Sequence, residues 1–161
     1  YIDVGFMGGA QIDRFGNINT TIIGEKYSQP LVRLPGSGGS QEIAAWANRC
    51  YIMTPHQKRR FPEKVDFLTS AGNLSGSNER THAGLRGGGI KAVVTDLGIM
   101  EPDNNGELML SKIHPNVIKD DVLENTGWEL KISPDISTTD PIKQKEIDIL
   151  RTELDPNGLY I

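Results

Sequence analysis

Apolar and polar positions along this chain change over in short stretches, seldom long enough for more than one turn of pattern. Residues 2–10 carry Ile2, Val4, Phe6 and Met7 into Gly8-Gly9, which predicts a strand. Asp13-Arg14-Phe15-Gly16-Asn17 is a turn signal, and residues 18–23 alternate as a second strand, giving a hairpin-like start. Residues 31–34 are short and extended. Pro35-Gly36-Ser37-Gly38-Gly39-Ser40 is a glycine loop, and residues 41–48, with Ala44, Ala45 and Ala47, predict a helix capped by Ser40. Residues 50–54 and 65–69 predict core strands. Residues 70–89, rich in Gly, Ser and Asn, predict a long loop. Residues 91–95 predict another buried strand and residues 107–110 a short one. Pro115 precedes a helix around 118–125 that Gly127 closes at its C′ position, and residues 129–132 predict a last strand. Ile142, Ile147, Leu150 and Leu154 fall near a 3.6-residue spacing behind Pro141, predicting an amphipathic helix over 141–154. Strands and helices alternate from residue 31 onward, so the expected class is α/β, as a single domain over residues 1–161.

Composition narrows the possible functions. Gly supplies 18 and Pro 9 of 161 residues, which suits backbone-lined loops better than a helical bundle. The net charge of −4 argues against broad nucleic-acid binding. A lone Cys50 excludes an internal disulfide and a four-thiolate zinc site; within Cys50-Tyr51-Ile52-Met53 it reads as a buried, inert thiol. His56, His82 and His114 lack metal-ligand spacing, so no metal site is expected. No segment approaches the roughly 20 apolar residues that span a membrane, and no secretory or lipidation signal is apparent. The expected setting is cytoplasmic. The chain opens Tyr1-Ile2-Asp3 with no initiator Met and reads as beginning in the middle of something.

The glycine loop carries the most chemistry. With side chains nearly absent at Gly36, Gly38 and Gly39, a ligand can approach backbone N–H groups closely. Such a place serves a phosphate, a developing oxyanion, or simply a tight strand-to-helix turn. It is neither a Walker A loop nor G-x-G-x-x-G, since Gln41 holds the last position, and Glu42 would repel a phosphate dianion. Neither Ser37 nor Ser40 fits a nucleophile elbow. The cations of His56-Gln57-Lys58-Arg59-Arg60 follow a strand and could hold a phosphorylated ligand or form a solvated loop. Gly87-Gly88-Gly89 reads as a flexible connector. Asp120, Asp121 and Glu124 read as the charged face of a helix.

Taken together, Gly8-Gly9-Ala10-Gln11-Ile12-Asp13, the Gly36-Ser37-Gly38-Gly39 loop before a helix, His56-Gln57-Lys58-Arg59-Arg60-Phe61 and Asp121-Val122-Leu123-Glu124-Asn125-Thr126-Gly127-Trp128 resemble the beta subunit of family I coenzyme A transferases, in particular those of the glutaconate CoA-transferase group. The resemblance runs in order through nearly the whole chain. It implies a layered ribose-phosphate-isomerase-like α/β fold and pairing with an alpha subunit. It also implies acyl-CoA and carboxylate substrates, coenzyme A being a substrate and not a covalently held cofactor. No nucleic-acid or membrane partner is implied. In the family a glutamate forms an acyl anhydride and then a glutamyl-CoA thioester. The loop implies Gly39 and Ser40 as backbone groups at the thioester, with Gly36, Ser37, Gly38 and Lys58 contacting CoA. The family's glutamate motif precedes the Gly-Gly-Ala-Gln strand and is absent, so the expectation is a C-terminal portion of a beta subunit, lacking its N-terminal part and inactive alone. Competing readings are a relative that hydrolyses or ring-opens a CoA thioester, and a non-catalytic effector-binding domain of similar fold.

Overall fold

A computed structural model describes residues 2–159. The strands, in chain order, are β1 (Val4–Met7), β2 (Gln11–Ile12), β3 (Ile18–Asn19), β4 (Ile22–Ile23), β5 (Val32–Arg33), β6 (Arg49–Met53), β7 (Ile90–Val94), β8 (Gly98–Pro102), β9 (Leu108–Ile113) and β10 (Lys131–Thr138). The α-helices are α1 (Ser40–Trp46), α2 (Glu79–His82), α3 (Lys119–Glu124) and α4 (Gln144–Ile149). Six strands form the central sheet in the order β1-β6-β7-β8-β9-β10. β1, β6 and β7 run parallel, β7-β8-β9 is an antiparallel meander, and β10 returns parallel to β9. The class is α/β, with a mostly parallel sheet and flanking helices.

The strand sequences explain the sheet. Cys50 and Ile52 of β6, Ile90 and Val93 of β7, Met100 of β8 and Leu108 and Leu110 of β9 are buried against Ala44 and Ala47 of α1, Val122 of α3, Phe61 and Trp128. Burial of each large aliphatic side chain favours folding by about 1.5–3 kcal/mol, before entropy is counted. The opposite face at the β1 edge leaves Phe6, stacked on Tyr51 at 5.7 Å, and Met53 exposed.

Several expectations change. Residues 18–23 split into β3 and β4, because the Asn19 side chain bonds the Thr21 and Ile22 amides and bends the chain between them. Residues 65–69 form no strand; the Asp66 amide is taken by the Gln11 side chain, and only Ser70 bridges Ile18. Residues 70–89 contain α2, and β8 was not foreseen. Gly127 is not a left-handed C′ residue: it bridges Pro62, its amide donating to the Phe61 carbonyl at 2.7 Å. Gly87-Gly88-Gly89 is no slack connector. The Gly87 and Gly88 amides donate to the Ala45 and Ala47 carbonyls, and a Cβ on Gly88 would stand 2.0 Å from the Asn48 carbonyl oxygen. The stretch predicted as one helix over 141–154 is α4 continued by a wider-wound turn, Leu150–Leu154, with Ile142 and Leu154 exposed. Among the described residues, no helix is long and apolar enough to cross a membrane.

Candidate functional site

The chain after β5 is stitched to the β3–β4 bend. The Leu34 amide donates to the Thr21 carbonyl and the Gly36 amide to that of Thr20, at 3.0 and 2.8 Å. Beyond this point the backbone turns twice through left-handed geometry, at Gly36 (φ +99°) and Gly38 (φ +50°), which side chains strongly disfavour. A Cβ at Gly36, Gly38 or Gly39 would meet nothing within 4 Å. The glycines therefore leave open space in front of the loop; nothing among the described residues fills it.

Gly39, at φ −88°, caps α1, where Ser40 was expected. The reason is the Ser40 hydroxyl, which donates back to the Ser37 carbonyl at 2.7 Å and lies 2.8 Å from Ser70 Oγ. The Ser40 amide also points inward, to the Ser37 carbonyl at 2.9 Å. The Gly38 and Gly39 amides have no acceptor among the described residues. Two adjacent N–H groups facing open space are what an oxyanion needs.

The basic cluster forms a tight turn, Lys58–Arg60, after β6. Lys58 leads it and is exposed. Arg60 instead folds inward: Nη1 donates to the Gly9 carbonyl at 3.0 Å, and Nε is buried without a partner. Arg60 and Gly36 share the wall of one cleft of about 380 Å³ with Gly9, Ala10, Thr20 and Leu34. Sequence alone singled out Lys58 as the ionic contact and missed Arg60. The Gly8-Gly9 element was the signal, since a bare carbonyl there is what draws the guanidinium in.

Other candidates resolve into structure. His56 Nδ1 and Nε2 each lie 3.1 Å from a threonine hydroxyl, of Thr95 and Thr126, and the ring stacks on Phe61 at 4.5 Å. Each hydroxyl can turn to suit a neutral imidazole. Burial, opposed by the Asp96 carboxylate, lowers the His56 pKa from 6.5 to about 4. His56 is thus a neutral pin between three segments. Cys50 is buried, and burial raises its pKa, as expected of an inert thiol. The largest cleft, about 760 Å³, is lined by Arg14, Glu107 and Lys131. These charges already pair with one another, and Lys131 also pairs with Asp103. Burial would raise the Glu107 pKa, but Lys131 and Arg14 hold it below the usual carboxylate range. Among the described residues, no His, Cys, Asp and Glu side chains group so as to hold a metal ion.

Comparison with known proteins gives a consistent picture. Residues 1–125 match the family described as Coenzyme A transferase. The chain is 45% identical over 151 residues to the beta subunit of the 3-oxoadipate CoA-transferase of Pseudomonas knackmussii, covering 93% of this chain and 58% of that protein. It is 42% identical over 160 residues to the beta subunit of the glutaconate CoA-transferase of Acidaminococcus fermentans, covering 98% of this chain and 59% of that protein. The crystal structure of the A. fermentans glutaconate coenzyme A-transferase superposes with a TM-score of 0.91 at 40% identity, over 98% of this chain and 60% of that one. The chain thus spans about three fifths of the length of the relatives it matches.

Proposed function

The chain belongs to the coenzyme A transferase family, and from that premise we propose that it is part of the beta subunit of a hetero-oligomeric enzyme moving CoA from a short dicarboxylic acyl-CoA to a free carboxylate. The observation that carries this reading is the pair of unpartnered Gly38 and Gly39 amides on a loop with open space in front of it. The dicarboxylic class rests on the two relatives, whose names give 3-oxoadipate and glutaconate as acyl groups. The alpha-subunit partner rests on both relatives being one of two kinds of subunit in their enzymes.

The chemistry is an exchange by covalent relay. A glutamate carboxylate attacks the thioester carbonyl and expels CoA thiolate, leaving a mixed anhydride. The thiolate attacks the glutamyl carbonyl and expels the donor acid as its carboxylate, leaving a glutamyl-CoA thioester. The acceptor carboxylate then attacks that thioester and expels the thiolate again, which closes the cycle on the acceptor's acyl carbon. Each attack places negative charge on a carbonyl oxygen. The Gly39 amide, with that of Gly38, is the donor group for this charge; the loop from Gly36 through Ser37 to Ser40 and the exposed Lys58 lie along CoA. Ser40 serves by holding the loop, its own amide being taken by Ser37. Among the described residues, no carboxylate lines the cleft beside Gly36, which fits a glutamate supplied from outside them. A cytoplasmic setting suits the substrates.

The test is denaturing mass spectrometry of the full-length subunit, co-expressed with its partner and incubated with glutaryl-CoA. A CoA adduct on one glutamate, discharged by added carboxylate, is the expected result. Release of free acid with no adduct would replace the transferase by a thioester hydrolase.

A further inference from the structure

Two orphaned polar atoms belong to the wall of one cleft. Arg60 Nε and Thr20 Oγ1 are both buried, and neither makes a hydrogen bond. Both residues line the cleft of about 380 Å³ that includes Gly36. Buried polar atoms are rarely left without partners, and two on one wall call for a ligand that the protein itself does not supply. Arg60 is held for such a role. Nη1 is committed to the Gly9 carbonyl at 3.0 Å, which fixes the guanidinium plane. The donors left over are Nε–H and the Nη2–H beside it, the side-on fork that matches the two oxygens of a carboxylate. The Thr20 hydroxyl adds a third donor. The rest of the wall, Ala10 and Leu34 among it, is apolar.

We infer that Arg60 and Thr20 form a carboxylate subsite that receives the second, non-reacting carboxylate of a dicarboxylic acyl group, while its methylene chain lies along Ala10 and Leu34. This deepens the transferase reading above and rests on it. A phosphate of CoA is an oxyanion of the same kind. The subsite fits it less well, since one planar fork and one hydroxyl serve two oxygens and leave the further charge of a phosphate unpaired. The assignment makes Arg60 a determinant of specificity, and it explains why the innermost of the three cations turns in toward Gly9.

The experiment compares wild type with Arg60→Gln, Arg60→Lys and Thr20→Val in the full-length subunit assembled with its partner. It measures kcat/KM for glutarate and for butyrate as acceptors, KM for the CoA donor, and glutarate binding by calorimetry. Arg60→Gln is expected to lower the glutarate-to-butyrate ratio of kcat/KM by about 10–100-fold, the effect of losing a charged hydrogen-bonded pair. Arg60→Lys should recover only part, because an ammonium lacks the fork. Thr20→Val should lower the ratio by about fivefold, and it carries the test if Arg60→Gln fails to fold. An unchanged ratio in both Arg60→Gln and Thr20→Val overturns the subsite. So does a rise in donor KM that is the same for glutaryl-CoA and butyryl-CoA, which would assign the site to a CoA phosphate. The calorimetry separates this inference from the reading beneath it. A wild type that transfers no CoA but binds glutarate through Arg60 removes the transferase and keeps the subsite. A working transferase whose Arg60→Gln form still prefers glutarate does the reverse.

Discussion

Ser40 Oγ lies 2.8 Å from Ser70 Oγ, and this contact joins the glycine loop to the irregular segment that follows Phe61. Ser70 is almost fully buried and its carbonyl receives the Ile18 amide, so it is a fixed point. Ser40 is thereby fixed too, and with it the turn that presents Gly38 and Gly39. Ser40→Ala and Ser70→Ala should each cost about 1 kcal/mol, and the double variant little more than either single one. Urea denaturation of all four proteins checks this. Strictly additive losses would mean that the two hydroxyls do not support each other.

Gly39 separates catalysis from folding. Its φ of −88° is open to any residue, and its missing Cβ faces empty space. Gly39→Val should therefore change stability by less than about 1 kcal/mol while filling the approach to the loop amides. Turnover of acyl-CoA should fall by about 100-fold or more, as when an oxyanion donor is blocked. Gly88→Ala is the contrast. A methyl group 2.0 Å from the Asn48 carbonyl oxygen forces the backbone apart, and the melting temperature should drop with no specific change in KM. Normal turnover in a folded Gly39→Val protein would remove the loop from the site.

Lys58 stands exposed at the head of its turn and belongs to the CoA side of the proposal. Lys58→Ala should raise KM for the acyl-CoA about fivefold and leave kcat nearly unchanged. Because the contact is exposed, the difference should shrink in high salt. An unchanged KM at low ionic strength would show that Lys58 is only solvated.

The fold was legible where the pattern was local. Val4 to Met7, Arg49 to Met53 and Ile90 to Val94 are apolar runs bounded by turn residues, and they are the parallel strands. β8 was not legible: Gly98-Ile99-Met100-Glu101-Pro102 opens with Gly and closes with Pro, and it is a strand because β7 and β9 pair with it on both sides. The glycine loop could be read as a close-approach site from its composition. That Ser40 turns back to Ser37 could not, because the Ser70 hydroxyl that meets it lies 30 residues away. Three adjacent cations look alike in sequence, and only the turn sends Arg60 inward while Lys58 stays out. Gly87-Gly88-Gly89 looked loose for a similar reason. Glycine serves slack and tight contact equally well, and the carbonyls of Ala45 and Ala47 decide between them.

His56 gives the protein a defined acid limit. Its pKa is lowered from 6.5 to about 4 by burial, with Asp96 opposing the shift, so the folded state holds the ring neutral. In the unfolded chain the ring takes up a proton near its ordinary value. Between those two values the unfolded state binds more protons, and stability rises with pH. The contribution is fully present above about pH 6.5 and is lost as the pH falls toward 4, in all about 3 kcal/mol at up to about 1.4 kcal/mol per pH unit. His56→Asn keeps a polar group between Thr95 and Thr126 but has no proton to gain. It should be less stable at pH 7.5, since the stacking on Phe61 is gone. Its stability should also vary less between pH 6.5 and pH 4.5, so the two proteins converge in acid. Urea midpoints across that range measure both slopes. Parallel curves would show that another group sets the acid limit, and that His56 is not held neutral by its surroundings.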